Sequence, residues 1–411
     1  MPEAAPWQFK QVRRVPPRGP RDARLLLKGR VFTGEIGGTI ERGFVRIDDG
    51  VITAVGGEAE LGSGGDGAVE LGGEGSTILP GLFNNHAHLA WDGANDLATQ
   101  ALEDEPEISA YKCAANMLRS LRAGVTTVRD LGMNKTNLYA KQAVAQGIFR
   151  GPKLRVCGEA IVQTGGHTYW CCREASGPDE MRRAVREQVR GGADLIKIMG
   201  CHDRLEFTDH ELDAVVDETH RNGLPITAHA TYDACIRRML EHGVDTIEHG
   251  GPMSDDTIQL LLDRGTYVIT TFAPVVMQAA EGEAWGIPEW KVEERRRVVA
   301  DPSQYDGLVR AARAGVPIVF GTDAGSPVVP HDVIAPELEF MVTVGVCADN
   351  EHALESITSL SARMNDLADD RGTLREGLAA DVIVVDGDPM ADLRALERVE
   401  AVLLDGMRVA P

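Results

Sequence analysis

Positive charge is scarce in this chain of 411 residues: 42 Lys and Arg stand against 63 Asp and Glu, a formal net charge of −21. An acidic surface disfavours nucleic acid and anionic membranes as partners, since both are polyanionic. Long apolar runs are missing as well. No stretch of about 18 apolar residues occurs, so no membrane span is expected. Arg13-Arg14 is followed at once by Val15-Pro16-Pro17-Arg18, which leaves no apolar core for an export signal. Cysteines number seven, an odd count with no zinc-ribbon spacing. That pattern fits reduced thiols in a cytoplasmic protein. The adjacent Cys171 and Cys172 read either as inert buried thiols or as a reactive pair.

What is present falls into three parts. Residues 1–21, rich in Pro and Arg, read as a flexible arm. Residues 22–78 read as short strands and turns, with Asp48-Asp49-Gly50 carrying a hairpin signal. Residues 372–411 return to the same pattern, and the two ends are expected to join in a small β-sandwich. Between them, residues 79–371 alternate strand and helix. After the strand that leads into His86, strands are expected over residues 126–130, 154–162, 194–199, 225–230, 245–249, 266–272 and 317–323. Helices are expected over 179–190, 208–221, 234–242 and 254–264, with Thr208 and Glu211 as a capping box. Many close on glycine, among them Gly191, Gly265 and Gly315. Eight strand–helix units argue for a TIM-type (β/α)8 barrel over a doubly wound open sheet.

In such a barrel, function sits at the C-terminal ends of the strands. His86 and His88 are two apart, so on a strand both imidazoles face one side. Lys197 is a charge inside the apolar run Leu195 to Met199, the fifth and sixth strands end at His229 and His249, and the eighth ends at Asp323. Singly, each has an ordinary reading: a hydrogen-bonded core histidine, a snorkelling lysine, a helix-capping aspartate. Together, four histidines and two oxygen donors can hold two divalent ions. The second oxygen donor requires a neutral lysine that has reacted with carbon dioxide, and burial favours the neutral amine.

These segments resemble the amidohydrolase superfamily, in its imidazolonepropionase-related branch of Xaa-Pro dipeptidases, carboxypeptidase-like dipeptidases and ochratoxin-type amidases. The carriers are LPGLFNNHAHL, LRAGVTTVRDLG, TGGHT, ADLIKI, LPITAHATY, GVDTIEHG, FGTDAG and GTLREGLAADVIVVDGDP. The resemblance implies His86 and His88 on one ion and His229 and His249 on the other, with zinc the foremost candidate. It further implies a carbamate on Lys197 and a hydroxide shared by both ions. Asp323 would ligate and shuttle a proton, and His167 would polarise the substrate. The loop Gly200 to Arg204 and the run Tyr169 to Cys172 depart from the family's usual pattern, and both border the substrate.

Tyr232, His167, His202, Arg204 and His331 are the expected substrate contacts. They are hydrogen-bond donors, and several can be cationic. Besides Asp323 and Asp203 no acidic residue is expected among them. That suits a free carboxylate on a small-molecule substrate, a dipeptide or an N-acyl amino acid. A cyclic amide, a carbamate, an ester or a lactone is the alternative on the same site. A mononuclear deaminase is disfavoured, because such relatives lack the lysine and carry a glutamate where Tyr232 stands. A homo-oligomer is expected. Protein purified without chelator should carry close to two equivalents of divalent metal, and Lys197→Ala should lose metal and activity together. A reproducible single equivalent with full activity would rule out the dinuclear reading.

Overall fold

A computed structural model describes residues 24–61, 67–202 and 204–410. The arm over residues 1–21 and Asp203 lie outside the described residues. The described chain opens with β1 (Arg24–Phe32), β2 (Thr39–Asp48), β3 (Val51–Gly57) and β4 (Val69–Pro80). Strands β2 and β3 are antiparallel and joined by Asp49-Gly50, whose φ values are 49° and 86°. Two positive φ values in a two-residue loop give the turn whose twist matches that of the flanking strands.

Ten parallel segments follow. They are β5 (Leu82–Ala87), β6 (Val125–Asp130), β7 (Lys153–Val156), β8 (Ile161–Val162), β9 (Arg173–Glu174), β10 (Ile196–Cys201), β11 (Ile226–Ala230), β12 (Thr246–His249), β13 (Tyr267–Ile269) and β14 (Ile318–Val319). They form two parallel ladders, β5-β6-β7 and β14-β13-β12-β11-β10-β8-β9. The strand expected over 154–162 is split between β7 and β8. At the break, Gly158 has φ 73°, Asn137 Nδ2 donates to its carbonyl at 2.9 Å, and the Glu159 amide donates to Gln188 Oε1 at 3.0 Å. Side chains thus replace the strand ladder there. The strand expected over 317–323 is shorter for a similar reason. Asn85 Nδ2 donates to the Phe320 carbonyl at 2.7 Å, and the Thr322 amide donates to Asn84 Oδ1 at 3.3 Å. Just beyond, Ala87 of β5 bridges to Ala324, and the His88 amide donates to the Ala324 carbonyl at 2.8 Å.

Helices lie between the strands, and four match the expected spans to within two residues: Pro178–Gly191, Asp209–Arg221, Asp233–Glu241 and Asp255–Arg264. The Thr208 capping box is formed, with the Thr208 amide donating to Glu211 Oε2 at 2.8 Å. Gly265 and Gly315 close their helices in the left-handed region. Gly191 instead stays helical, and the cap passes to Gly192.

The chain ends with β15 (Val382–Asp386), β16 (Val399–Leu404) and β17 (Met407–Ala410). With β1–β4 they make one seven-stranded sheet, in the order β17-β16-β15-β4-β1-β2-β3. Strand β4 joins the halves: it pairs with β1 on one side from Val69 to Ile78 and with β15 on the other from Ser76 to Pro80. It then runs through Pro80 and Gly81 straight into β5, where the Gly81 amide donates to the Asp381 carbonyl at 2.8 Å. The terminal sheet therefore anchors the strand that carries His86.

Strands β5, β6, β10 and β11 are buried at every residue. Parallel strands covered on both faces normally read as apolar runs. Their polar members, Asn84, Asn85, His86, Arg129, Asp130, Lys197 and His229, are therefore the residues that need explaining. The expectation of wholly reduced thiols meets one close pair. Cys201 at the end of β10 and Cys235 in the helix after β11 lie side by side with Cα atoms 6.3 Å apart, within the span of a disulfide. Neighbouring elements of the layer bring these two buried residues together, which sequence spacing does not reveal. Cys113, Cys157, Cys171, Cys172 and Cys347 are free. Among the described residues no helix is long and apolar enough to cross a membrane.

Candidate metal centre

The C-terminal ends of the parallel strands open on a cavity of about 190 Å³. Its polar lining includes His86, His88, His167, Lys197, His229, His249 and Asp323, and its apolar side is formed by Trp91, Leu97, Leu131, Met133 and Met199. The histidine rings are close-set: centroids are 5.2 Å apart for His86 and His88, 4.8 Å for His86 and His249, and 4.3 Å for His229 and His249.

The imidazoles are oriented from behind. His86 Nδ1 lies 2.8 Å from Glu248 Oε2, and His88 Nδ1 lies 3.2 Å from the Gly132 carbonyl. Both partners are acceptors, so each Nδ1 carries the proton and each Nε2 presents its lone pair to the cavity. There they meet Asp323 Oδ1, at 3.4 Å from His86 Nε2 and 2.9 Å from His88 Nε2. A lone pair facing a carboxylate oxygen at that range is repulsive unless a cation or a proton lies with them. The ligating atoms of His86, His88 and Asp323 all fall within 4.8 Å of one another, a spacing one metal ion can share. The donor set therefore fits a metal. His249 Nδ1 is likewise held, by Thr271 Oγ1 at 2.6 Å.

The electrostatics agree. Burial pushes the Lys197 ammonium pKa down, towards the neutral amine. Burial also holds His229 and His249 well below the usual imidazole range, leaving them neutral and able to ligate. Burial would raise the Asp323 carboxyl, but the surrounding histidines outweigh it and the pKa falls. Burial pulls His88 down, yet its contact with Asp323 reverses the sign and its pKa is raised. Two candidate ligand positions are also strained: His249 has φ 71° and Asp323 φ 55°, in the left-handed region that non-glycine residues avoid. Such strain costs on the order of 1–3 kcal/mol per residue and is held where the surroundings over-determine the backbone.

The remaining expected contacts lie differently. His202 is exposed and stacks on His167, with centroids 4.0 Å apart, and its Nδ1 is 3.3 Å from His229 Nε2. His167, His202 and His229 form a second set of donors within 4.8 Å. Tyr232 stands at the N-terminus of the helix Asp233–Glu241, Arg204 is exposed, and neither lines the cavity. His331 is buried behind the wall with Nε2 2.9 Å from the Trp91 carbonyl, and burial brings its pKa to about 4.

Sequence reasoning missed the groups behind the ligands. Glu248 is fully buried and accepts from His86, from Arg129 Nη1 at 2.6 Å and from Thr227 Oγ1 at 2.5 Å. Buried Asp130 accepts from the Leu89 amide at 2.7 Å and the Gly132 amide at 2.9 Å, fixing the turn that presents His88. The signal was there: Arg129, Asp130 and Glu248 are the only Asp, Glu, Lys or Arg residues in β6 and β12.

The chain belongs to the amidohydrolase family, which it matches over residues 77–409. It is 27% identical over 415 positions to the ochratoxinase of Aspergillus niger, covering 92% of this chain and 84% of that protein. A crystal structure of a Xaa-Pro dipeptidase with methionine bound in its active site superposes with a TM-score of 0.82 at 27% identity, over 94% of this chain and 99% of the other. A prolidase complexed with N-methylphosphonate-L-proline gives a TM-score of 0.81 at 28% identity with the same coverage. These neighbours imply a TIM-type barrel, and the family supports an enzyme that hydrolyses amides, generally with divalent metals.

Glu248→Gln keeps the shape but leaves the Arg129 guanidinium buried without its counter-charge, which costs about 3–5 kcal/mol when a buried pair is broken. It also loosens His86, and loss of such a supporting carboxylate typically weakens metal affinity or activity by roughly 10–100-fold. Thermal unfolding and metal titration of the variant check both effects. An unchanged melting temperature with full metal affinity would remove Glu248 from the account.

Proposed function

We propose that this protein is a dinuclear metal-dependent amidohydrolase that cleaves an amide next to a free carboxylate, in a dipeptide or an N-acyl amino acid. The observation that carries the reading is the pair of Nε2 atoms, on His86 and His88, turned by their fixed Nδ1 protons onto Asp323 Oδ1. In this reading the two parallel ladders are one (β/α)8 barrel over residues 79–371. The terminal sheet is the small domain of residues 22–78 and 372–411.

His86, His88 and Asp323 would hold one ion and His229 and His249 the other, with Lys197 shared between them. A neutral Lys197 amine adds to carbon dioxide and releases a proton, which converts a nitrogen donor into an anionic oxygen donor. Two divalent ions, zinc foremost, would supply Lewis acidity and make nearby water easier to deprotonate. The chain's own residues do the rest. Water adds to the carbonyl carbon, the C–N bond breaks, and one proton must travel from the water to the leaving nitrogen. Asp323 is placed to carry it, being the sole carboxylate among the described lining residues and beside both imidazoles. Position rather than basicity supports that role. The His167 ring, on the same wall, can donate to the substrate carbonyl oxygen.

The carboxylate half of the reading is supported by two structural neighbours, whose bound methionine and phosphonate-proline both carry one. A neutral amide or carbamate is the second reading. It is favoured by a lining that holds no arginine among the described residues, and by the exposure of Arg204. A matched pair of substrates separates them, one with the free carboxylate and one with its amide. The acid is expected to be turned over far better, and equal rates would establish the neutral reading instead. Asp323→Asn should reduce turnover by at least about a hundredfold, the lower end for general acid–base catalysis. A loss of only a few-fold with metals intact would place the proton carrier elsewhere.

A further inference from the structure

Beside the metal centre, the cavity wall carries sulfur that the hydrolysis does not use. Cys172 lines the cavity, and Cys171 precedes it in a short turn, Tyr169–Cys171. Both are free and half-buried, and their sulfurs are 3.9 Å apart. The turn is fixed by Thr168, which sits at φ 58°. Its carbonyl accepts from Cys171 Sγ at 3.1 Å, and its hydroxyl lies 3.4 Å from Cys172 Sγ. Trp170, which directly precedes the two cysteines, stacks on Trp91 of the cavity wall with centroids 5.7 Å apart. The pair is thus presented by an ordered turn at the cavity's edge.

Two chemistries are open to neighbouring thiols, and geometry separates them. A direct disulfide would have to close the gap to about 2.05 Å, across Cα atoms that a trans peptide holds about 3.8 Å apart, below the roughly 4.4 Å that ordinary disulfides span. A single larger atom bonded to both sulfurs needs no such closure. Two sulfurs bonded to one atom at about 2.3 Å each stand roughly 3.3 Å apart at a pyramidal angle and roughly 3.8 Å apart at a tetrahedral one, so a small turn of either side chain brings the pair within reach of such an atom. A fully protein-held metal would want further ligands. No group of three or more donors that includes either cysteine occurs among the described residues. The fitting ligand is one that needs two sulfurs and brings its remaining substituent itself.

We infer that Cys171 and Cys172 form a dithiol site for a monosubstituted trivalent arsenical, and that its occupation blocks the hydrolytic cavity. The step balances without a redox partner. The arsenic–oxygen double bond of R–As=O is lost, two As–S bonds form, both thiol protons leave with the oxygen as water, and arsenic stays trivalent. The substituent then projects from Cys172 into the cavity that His88 and Asp323 line.

The test uses the metal-loaded protein and phenylarsine oxide. Intact-mass analysis should show one arsenical per chain, thiol titration should show two thiols lost, and amide hydrolysis should stop and recover on adding 2,3-dimercaptopropanol. Cys171→Ala should lose the adduct, and whatever hydrolysis the variant retains, measured against its own untreated rate, should no longer be inhibited by the arsenical. The mass and thiol readouts do not depend on which amide is cleaved, so failure of the site is distinguishable from failure of the functional reading. Absence of an adduct, an adduct that persists in Cys171→Ala, or an adduct that leaves hydrolysis untouched would overturn the inference.

Discussion

A carboxylate with no solvent contact, Glu248, sits in the strand layer directly beneath the ligands, and the centre depends on how it is held. Arg129 neutralises it from β6, Thr227 donates from β11, and His86 donates from β5. Arg129 also donates to the Asn85 carbonyl at 3.1 Å and to Thr246 Oγ1 at 3.1 Å, tying β5 to β12. Four strands therefore meet on one buried ion pair. Such a pair contributes little to stability on balance, because desolvation offsets attraction. What it supplies is direction: with Glu248 ionised, the His86 proton must sit on Nδ1, and the Nε2 lone pair must face the cavity. The same burial that raises carboxyl pKa values is outweighed here by Arg129 and His86, which hold Glu248 well below the usual range.

The layer around this pair is buried on both faces, which sharpens every other assignment. A polar side chain with no solvent must find a partner or lose its charge. Asn84 and Asn85 find theirs in the segment after β14, with Asn84 Nδ2 donating to Thr322 Oγ1 at 2.7 Å. Lys197 takes the other course, shifting toward the neutral amine. His229 and His249 do likewise. Neutral imidazoles and a neutral amine are the forms that the proposed metal centre would require, and burial alone favours them.

Much of this was legible along the chain. Strand–helix alternation, the Thr208 capping box and the Asp-Gly turn all report local physics, and local physics survives folding. The residues at strand ends could be read because a parallel strand places its last side chains at one rim. What escaped was set by contacts distant in sequence. Asn85 and Phe320 are far apart in the chain, yet their hydrogen bond ends β14 early. Gln188 breaks the third strand in the same way. Glu248 was overlooked beside the more conspicuous His249, and its partner Arg129 lies on another strand. The expected substrate contacts depend most on such packing: Tyr232, Arg204 and His331 lie outside the cavity lining, and a loop residue's direction is fixed by packing that a linear sequence does not contain.

That difference divides the site in two. The floor is built from strands, pinned by buried hydrogen bonds and strained where His249 and Asp323 are forced into position. The rim is built from loops: the turn with Trp170 and Cys171, the stack of His202 on His167, and the exposed Arg204. A change at the rim leaves the Glu248 network untouched, because among the described residues no hydrogen bond of that network reaches it. A change in the floor alters the direction of a ligand whatever the rim presents. Chemistry and specificity can then vary separately on this scaffold. Likeness to known amidohydrolases therefore says more about the bond broken than about the molecule that carries it. The groups that choose the molecule are to be sought in the segments Tyr169 to Cys172 and Gly200 to Arg204, where the sequence is expected to depart from the family's usual pattern.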